Sequence, residues 1–173
     1  MKRPFWNSEK IISFSAIFIS LLTLVVFVYQ TNIIREQQRL SVLPYLQIGN
    51  YENARPNYKL VISNDGIGPA FIESVVTIRN GERFDVDLPR FLGQHIPEVD
   101  TIEDVFHSNI APGQLIPAGA KIAILEVNNN LESAIQLYKI LSDNDISIEL
   151  IYASAYGEKW KLNSNENAPE RIN

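Results

Sequence analysis

Residues 73–88, ESVVTIRNGERFDVDL, decide the fold class of this chain of 173 residues. The dipeptide Asn80-Gly81 lies between two runs in which apolar residues alternate with polar ones: Val76, Ile78, Phe84, Val86 and Leu88. Asn-Gly in this setting is the strongest short-range signal for a β-hairpin, because both residues tolerate the positive φ of a type I′ turn. The stretch therefore predicts two antiparallel strands, with Asp85 and Asp87 on the solvent side.

Similar period-two runs occupy much of the remaining chain and are separated by turn residues. They cover residues 45–49, 58–63, 71–78, 120–127, 146–155 and 159–162. Residues 131–141 instead carry apolar side chains at helical spacing, after asparagines at 128–130 that can cap a helix. A second short helix is expected near residues 101–106. The pattern predicts a mainly β domain over residues 44–162, an immunoglobulin-like antiparallel β-sandwich with one or two short helices.

An apolar segment near the N-terminus points to a membrane. Residues 11–29 read IISFSAIFISLLTLVVFVY, and no charged residue occurs from residue 11 to residue 34. A helix of about 20 residues spans a hydrocarbon core of about 30 Å. The segment is apolar on every face, unlike most core helices, and residues 27–30 lack the small-residue pattern of a cleaved signal peptide. We expect an uncleaved transmembrane helix over residues 11–30, embedded in a lipid bilayer.

Basic residues near the two ends of this helix predict its orientation. Lys2, Arg3 and Lys10 precede the helix, whereas Arg35 and Arg39 follow it. This excess favours a cytoplasmic N-terminus and a single-pass chain whose C-terminal domain is extracytoplasmic. Residues 1–10 then form an N-terminal tail, residues 31–43 a helical stalk that Pro44 ends, and residues 163–173 a disordered tail.

Charge and composition exclude several function classes. Residues 31–173 contain 12 basic and 19 acidic residues, a formal charge of −7. Because this part is acidic and has no basic stripe interleaved with aromatics, nucleic acid is not an expected partner. The chain has no cysteine, which excludes disulfides, thiolate metal sites and cysteine nucleophiles.

The glycine-rich stretch from Gly66 to Ala70, GIGPA, superficially resembles a phosphate-binding loop. Phe71 occupies the position where a dinucleotide fingerprint needs its third small residue, and a predicted strand follows instead of a helix. The stretch is therefore interpreted as a tight turn between strands.

The two histidines flank an acidic cluster that is the most plausible place for a metal. His95 and His107 lie around Glu98, Asp100, Glu103 and Asp104. Glu103 and His107 would share one face of a helix, but no His-Glu-x-x-His pattern is present, and a solvated acidic loop is the favoured interpretation.

With Asp85 and Asp87 facing outward, no catalytic, cofactor-binding or metal residue is assigned, no cofactor is expected, and an enzyme is not predicted. Four aromatic residues are interpreted as core: Tyr138, Tyr152, Tyr156 and Trp160.

Three short segments carry a family resemblance: residues 41–46 (SVLPYL), residues 64–70 (NDGIGPA) and residues 152–160 (YASAYGEKW). With them, the chain resembles a family of uncharacterised bacterial small proteins that have one N-terminal membrane helix and a β-sandwich domain with an N-x-G-x-G-P-A turn. The resemblance implies a bacterial inner membrane location and a tethered sandwich, and it carries over no site residue.

Together these observations predict a membrane-anchored β-sandwich that serves as an interaction or scaffolding module. An obligate subunit of a larger membrane assembly is one alternative, with a protein partner or a second copy contacting the membrane helix and the stalk. A metal-dependent hydrolase built around His95 and His107 is the other.

Overall fold

The structure is a computed structural model that describes residues 8–51 and 56–172. The chain divides into two compact units, Met1–Leu40 and Ser41–Asn173.

The described part of the first unit is one continuous helix, α1, Ser8–Leu40. At 1.5 Å per residue its 33 residues extend about 50 Å, and its apolar portion is long enough to cross a membrane. Four hydroxyls in this helix each donate a 2.8 Å hydrogen bond to the carbonyl four residues earlier: Ser13, Ser20, Thr23 and Thr31. These polar groups are thus satisfied without water. The helix includes the predicted stalk as far as Leu40.

The second unit contains two antiparallel sheets with helices between their strands. In chain order its elements are β1 Leu46–Tyr51, β2 Tyr58–Asn64, β3 Ala70–Arg79, β4 Glu82–Phe84, α2 Leu88–His95, a 3₁₀ helix Pro97–Thr101, β5 Val105–His107, β6 Leu115–Ile116, β7 Lys121–Val127, α3 Leu131–Asp143, β8 Ile146–Ala153, β9 Lys159–Asn163 and β10 Glu170–Ile172. One sheet has the order β1-β2-β7-β5. The other has the order β10-β9-β8-β3-β4, and β6 also pairs with β3.

Alternating residues of both sheets form a common apolar core. On β2 these are Tyr58, Leu60 and Ile62, and on β8 they are Ile148, Leu150 and Tyr152. The period-two pattern of the sequence places these side chains on one face of each strand. Helix α3 adds Leu137 to the same core, and the side chain of Asn130 caps this helix by accepting a 3.1 Å bond from the Ser133 N–H.

The hairpin predicted at Asn80-Gly81 is confirmed by its turn geometry. Asn80 has φ 49° and Gly81 has φ 81°, so both central residues are left-handed, as a type I′ turn requires. Its second strand ends at Phe84, however, instead of continuing to Leu88. Pro89 occupies the first turn of α2, where its fixed φ suits a helix start. The local proline signal therefore outweighs the alternating pattern.

Two other expectations are wrong. The helix expected near residues 101–106 is replaced by the end of the 3₁₀ helix and by strand β5. The tail expected to be disordered contains β10, which pairs with β9. Lys161 and Glu170 approach to 3.8 Å across this pair, and Arg171 lies 3.5 Å from Glu158. Backbone pairing and charged side chains hold this strand, so apolar periodicity does not reveal it.

We predict opposite effects of alanine at two glycines that both have open space where a Cβ atom would lie. Gly81→Ala forces a side chain into left-handed backbone and should lower the free energy of unfolding by about 1 kcal/mol. Gly93→Ala, within α2, should leave it unchanged or raise it by up to about 1 kcal/mol. Urea unfolding of the detergent-solubilised chain, followed by tryptophan fluorescence, measures both. Equal effects of the two substitutions would contradict the turn assignment.

Candidate functional site

The side chain of Asn64 is the centre of a buried junction where the second unit begins. Its Oδ1 accepts hydrogen bonds from the N–H groups of Tyr45 and Gly66, each at 3.1 Å. Its Nδ2 donates to the carbonyls of Gly68 at 2.8 Å and Ile116 at 3.0 Å. The amide thus uses both donors and accepts two bonds, which is the full capacity of an asparagine side chain.

The glycine-rich stretch beside Asn64 is a close backbone crossing. The carbonyl of Leu43 accepts hydrogen bonds from the N–H groups of Ile67 and Gly68, at 3.0 and 3.1 Å. A Cβ atom at Gly66 or Gly68 would overlap the backbone of residues 42–45. The stretch joins β2 to β3, as the turn interpretation predicts, and its glycines permit this approach.

Tyr152 brings a third segment to the same junction. Its hydroxyl oxygen accepts a 3.3 Å hydrogen bond from the Leu46 N–H, and its ring stacks on Trp160 with centroids 5.7 Å apart. Burial raises the pKa of Tyr152 to about 12, so the hydroxyl stays neutral near pH 7. Residues 41–46, 64–70 and 152–160 therefore meet in one place, where they tie the start of β1 to both sheets.

The histidines and the acidic residues are not gathered into a metal site. His95 lies at the end of α2, where its ring stacks on Phe91 at 4.7 Å and its Nδ1 is 3.2 Å from the Phe91 carbonyl oxygen. His107 is exposed on β5, so Glu103 and His107 do not share a helix. Within residues 8–51 and 56–172, no group of three or more His, Asp or Glu residues could hold a metal ion.

Asp85 and Asp87 have different surroundings, contrary to the prediction that both face solvent. Asp85 is exposed, whereas the Asp87 side chain is only 5% exposed. The Nε atom of Arg90 lies 3.6 Å from Asp87 Oδ1, and neither Asp87 oxygen has a hydrogen-bond partner among the described residues. Because strand β4 ends before these residues, they no longer alternate across a sheet. The two carboxylates therefore do not form an acid/base pair.

The four aromatic residues interpreted as core divide into two pairs. Tyr152 is buried and Trp160 packs against the core. Tyr138 and Tyr156 are 43% and 51% exposed, so the core assignment is wrong for them. Tyr138 lies on α3, beside a surface cavity that no sequence pattern predicts.

This cavity of about 200 Å³ lies beside β1. Buried residues of β2 and β8 line it, including Tyr58, Leu60 and Ile148. More exposed polar residues also line it: Asn50, Ser142, Ser164 and Asn165. A second cavity of about 260 Å³ shares Ile48, Ser164 and Asn165 with the first, so the two are neighbours, and together they are named here the β1 groove.

The Tyr58 hydroxyl is one of several polar groups that line the β1 groove. This hydroxyl donates a 2.7 Å hydrogen bond to Asn50 Oδ1, and the Tyr58 ring meets Tyr138 edge-on at 6.0 Å. Burial is the main cause that raises the pKa of Tyr58 above its ordinary value, so the phenol stays protonated. The surface that both cavities expose is more polar than apolar, which suits a ligand or side chain that forms hydrogen bonds. No signal in the sequence indicates this groove, because its walls come from six separate elements.

Comparison with known proteins gives no relative for this chain: no protein-family model, no curated protein and no solved structure matches it.

We expect Asn64→Asp to destabilise the fold strongly. The substitution keeps the side-chain shape but loses both donors, which leaves the carbonyls of Gly68 and Ile116 facing a carboxyl group. The free energy of unfolding should fall by about 3 kcal/mol. Asn167→Asp, on the exposed loop before β10, is the matched control and should change it by less than about 0.5 kcal/mol. Urea unfolding of the full chain compares the two, and a small effect of Asn64→Asp would refute the role of the junction.

Proposed function

We propose that this chain is a single-pass, membrane-anchored β-sandwich that binds a protein partner and has no catalytic role. The observation that carries the proposal is α1, a 33-residue helix with every described apolar side chain exposed. Exposed apolar side chains on all faces of a helix are stable in lipid and costly in water. Two residues, Ser41 and Val42, separate the end of this helix from Leu43, whose carbonyl is hydrogen-bonded into the junction.

An uncleaved anchor fits this helix better than a signal sequence. The helix continues without a break from its apolar part into the polar residues 30–40. Residues 27–30 offer no small-residue cleavage pattern. The basic residues Lys2, Arg3 and Lys10 favour a cytoplasmic N-terminus in a bacterial inner membrane, with the sandwich on the outer side.

The strand order supports an immunoglobulin-like topology. If β4 is lettered C′ and the two-residue strand β6 is left out, lettering along the chain gives β1-β2-β7-β5 the order A-B-E-D of that fold. The order β9-β8-β3-β4 then matches the G-F-C sheet with an added C′ strand, and β10 extends it beyond G. Sandwiches of this type commonly present binding surfaces on a rigid frame.

The placement of the ionisable residues supports binding over catalysis. His95 is stacked on Phe91, His107 is exposed on another element, and Asp87 is buried away from the exposed Asp85. A hydrolase requires such groups within hydrogen-bond reach of one another and of a shared site. The β1 groove, by contrast, exposes many hydrogen-bonding groups over buried apolar residues, which suits recognition of a polar ligand.

One specific observation favours a second candidate, an obligate subunit of a larger membrane assembly. Ile33 and Leu40 are exposed on the part of α1 beyond the apolar segment, and they are seven residues apart. Residues at this spacing lie on the same side of a helix and can contact a neighbouring helix. In this case the partner would bind the helix and the stalk instead of the sandwich.

Photo-crosslinking in cells distinguishes the two candidates. A benzoylphenylalanine replaces one exposed residue at a time: Ile33 or Leu40 on α1, and Ile67, Phe106 or Asn165 on the sandwich. The interaction module predicts a discrete protein adduct from at least one sandwich position and none from α1. Adducts from α1 alone would support the subunit instead, and the absence of adducts at every position would contradict both.

Sidedness is tested with single cysteines, because the chain has no native one. Asn167→Cys should react with a membrane-impermeant maleimide in intact spheroplasts. Ser8→Cys, at the N-terminal end of α1, is the matched control and should react only after permeabilisation. The reverse pattern would place the sandwich in the cytoplasm.

A further inference from the structure

Four exposed apolar side chains lie at the end of the second unit where the chain enters it. Phe71 and Leu115 are directly opposite each other on β3 and β6, so their side chains share one face of the sheet. Phe71 is also paired with Ala153, the last residue of β8, and Tyr156 lies in the turn that follows. Ile67 lies in the turn that leads into β3. Ile67, Phe71, Leu115 and Tyr156 are named here the entry patch.

The residues of the entry patch are far more exposed than core residues. Their exposed fractions are 67% for Ile67, 42% for Phe71, 47% for Leu115 and 51% for Tyr156. Large apolar side chains that are exposed close together mark a surface that contacts a protein or a membrane. Tyr156 adds an aromatic ring with a polar hydroxyl, which is the type of side chain that is enriched at the level of lipid headgroups.

Two ion pairs border the entry patch. The carboxylate of Glu73 lies 2.7 Å from Lys159 Nζ, and Glu158, two residues after Tyr156, lies 3.5 Å from Arg171. Each pair is formally neutral, so neither gives the patch a charge that would select a charged partner. The apolar side chains are therefore the main chemical feature of this surface.

A short linker limits the distance between the entry patch and the end of α1. The helix ends at Leu40, and the carbonyl of Leu43 accepts hydrogen bonds from the N–H groups of Ile67 and Gly68. Three residues of fully extended chain span at most about 11 Å. With the hydrogen bond added, the backbone of Ile67 lies within about 16 Å of the helix end in every orientation of the domain.

The length of α1 brings this helix end close to the lipid surface. No charged residue occurs from residue 11 to residue 34, and at 1.5 Å per residue this stretch extends about 36 Å, enough for a hydrocarbon core of about 30 Å. Residues 35–40 add about 9 Å, and the headgroup region on each side of a bilayer is about 5–8 Å thick. The helix therefore ends near the outer limit of the headgroups, and the linker keeps the entry patch within reach of them.

We propose that the entry patch contacts the lipid surface on its own side of the membrane, with Ile67 inserted among the headgroups. The Ile67 turn is well fixed for this role, because its backbone is bonded to Leu43 and the neighbouring Gly66 N–H is bonded to Asn64. Apolar side chains at an interface stabilise binding in proportion to the apolar area that they bury. The inference rests on the proposed function, since it requires the anchor, and it names the bilayer as a partner of the sandwich itself.

The linker favours lipid over a protein as the occupant of the entry patch. Because the patch and the anchor belong to one chain, the contact with lipid is intramolecular in effect, and tethering raises the effective concentration of the surface. A modest affinity of four side chains for the interface is then sufficient. A soluble partner or a second copy has no such advantage at this surface.

Single cysteines test the contact in the full chain, which has no native cysteine. Ile67→Cys is labelled with nitrobenzoxadiazole and reconstituted at one copy per nanodisc, with and without lipids that carry a nitroxide near the top of the acyl chain. The matched control is Phe106→Cys, because Phe106 is 61% exposed and lies on β5, at the other end of the sandwich. Quenching by the nitroxide should be at least about threefold stronger at residue 67 than at residue 106. Equal quenching at the two positions overturns the proposal.

A charged substitution tests whether Ile67 holds the patch on the lipid. With the fluorophore on Tyr156→Cys, the additional change Ile67→Asp should reduce quenching at least about twofold, because a carboxylate is costly to insert into an interface. Phe106→Asp is the control and should leave quenching at residue 156 unchanged. Both side chains are exposed, so neither change should unfold the domain, and urea unfolding verifies this. Unchanged quenching with Ile67→Asp overturns the proposal, as does a protein adduct from Ile67 in the crosslinking described above.

A reporter within α1 separates this inference from the proposed function. Leu22→Cys, near the middle of the uncharged stretch, should be quenched by nitroxides placed deep in the acyl chains. If the residue 22 reporter is quenched and the residue 67 reporter is not, the anchor stands and the lipid contact of the sandwich fails. If neither is quenched, both fail.

Discussion

The hydrogen bonds of the Asn64 side chain are the constraint on which the second unit depends. One buried amide joins the incoming segment at Tyr45, the turn at Gly66 and Gly68, and strand β6 through Ile116. The carbonyls of Gly68 and Ile116 would otherwise be buried without these partners, at a cost of about 1–3 kcal/mol each. Apolar packing favours any compact arrangement of the strands, whereas this network is satisfied in only one. It therefore specifies how β1 enters the fold.

The sequence predicts local features well and contacts between distant segments poorly. The Asn80-Gly81 hairpin and helix α3 follow from turn chemistry and apolar spacing within a few residues. The alternating pattern misplaces Asp87, because Pro89 begins a helix where alternation suggests more strand. The segments around Asn64 are visible as separate motifs, but their meeting point depends on how sheets pack. Sequence periodicity contains no information on that packing.

The β1 groove escapes sequence analysis for a related reason. Its walls come from β1, β2, α2, α3, β8 and β9, and none of the residues in it belongs to a type with distinctive chemistry. Tyr58 resembles a core tyrosine in the sequence and is one, yet its hydroxyl reaches Asn50 at the edge of the sheet. A recognition surface made of ordinary residues can be found only from the arrangement of the elements, which explains why the candidate site could not be predicted.

The junction also affects β1 as the edge strand of its sheet. The Tyr152 hydroxyl accepts the Leu46 N–H and so occupies the first outward group of β1, at the end where Asn64 holds the strand. The other outward backbone groups of this strand follow along its length, on Leu46, Ile48 and Asn50. Edge strands that remain open risk aggregation, and partial closure at one end limits that risk. The same tyrosine that completes the core thus also protects one end of this edge strand.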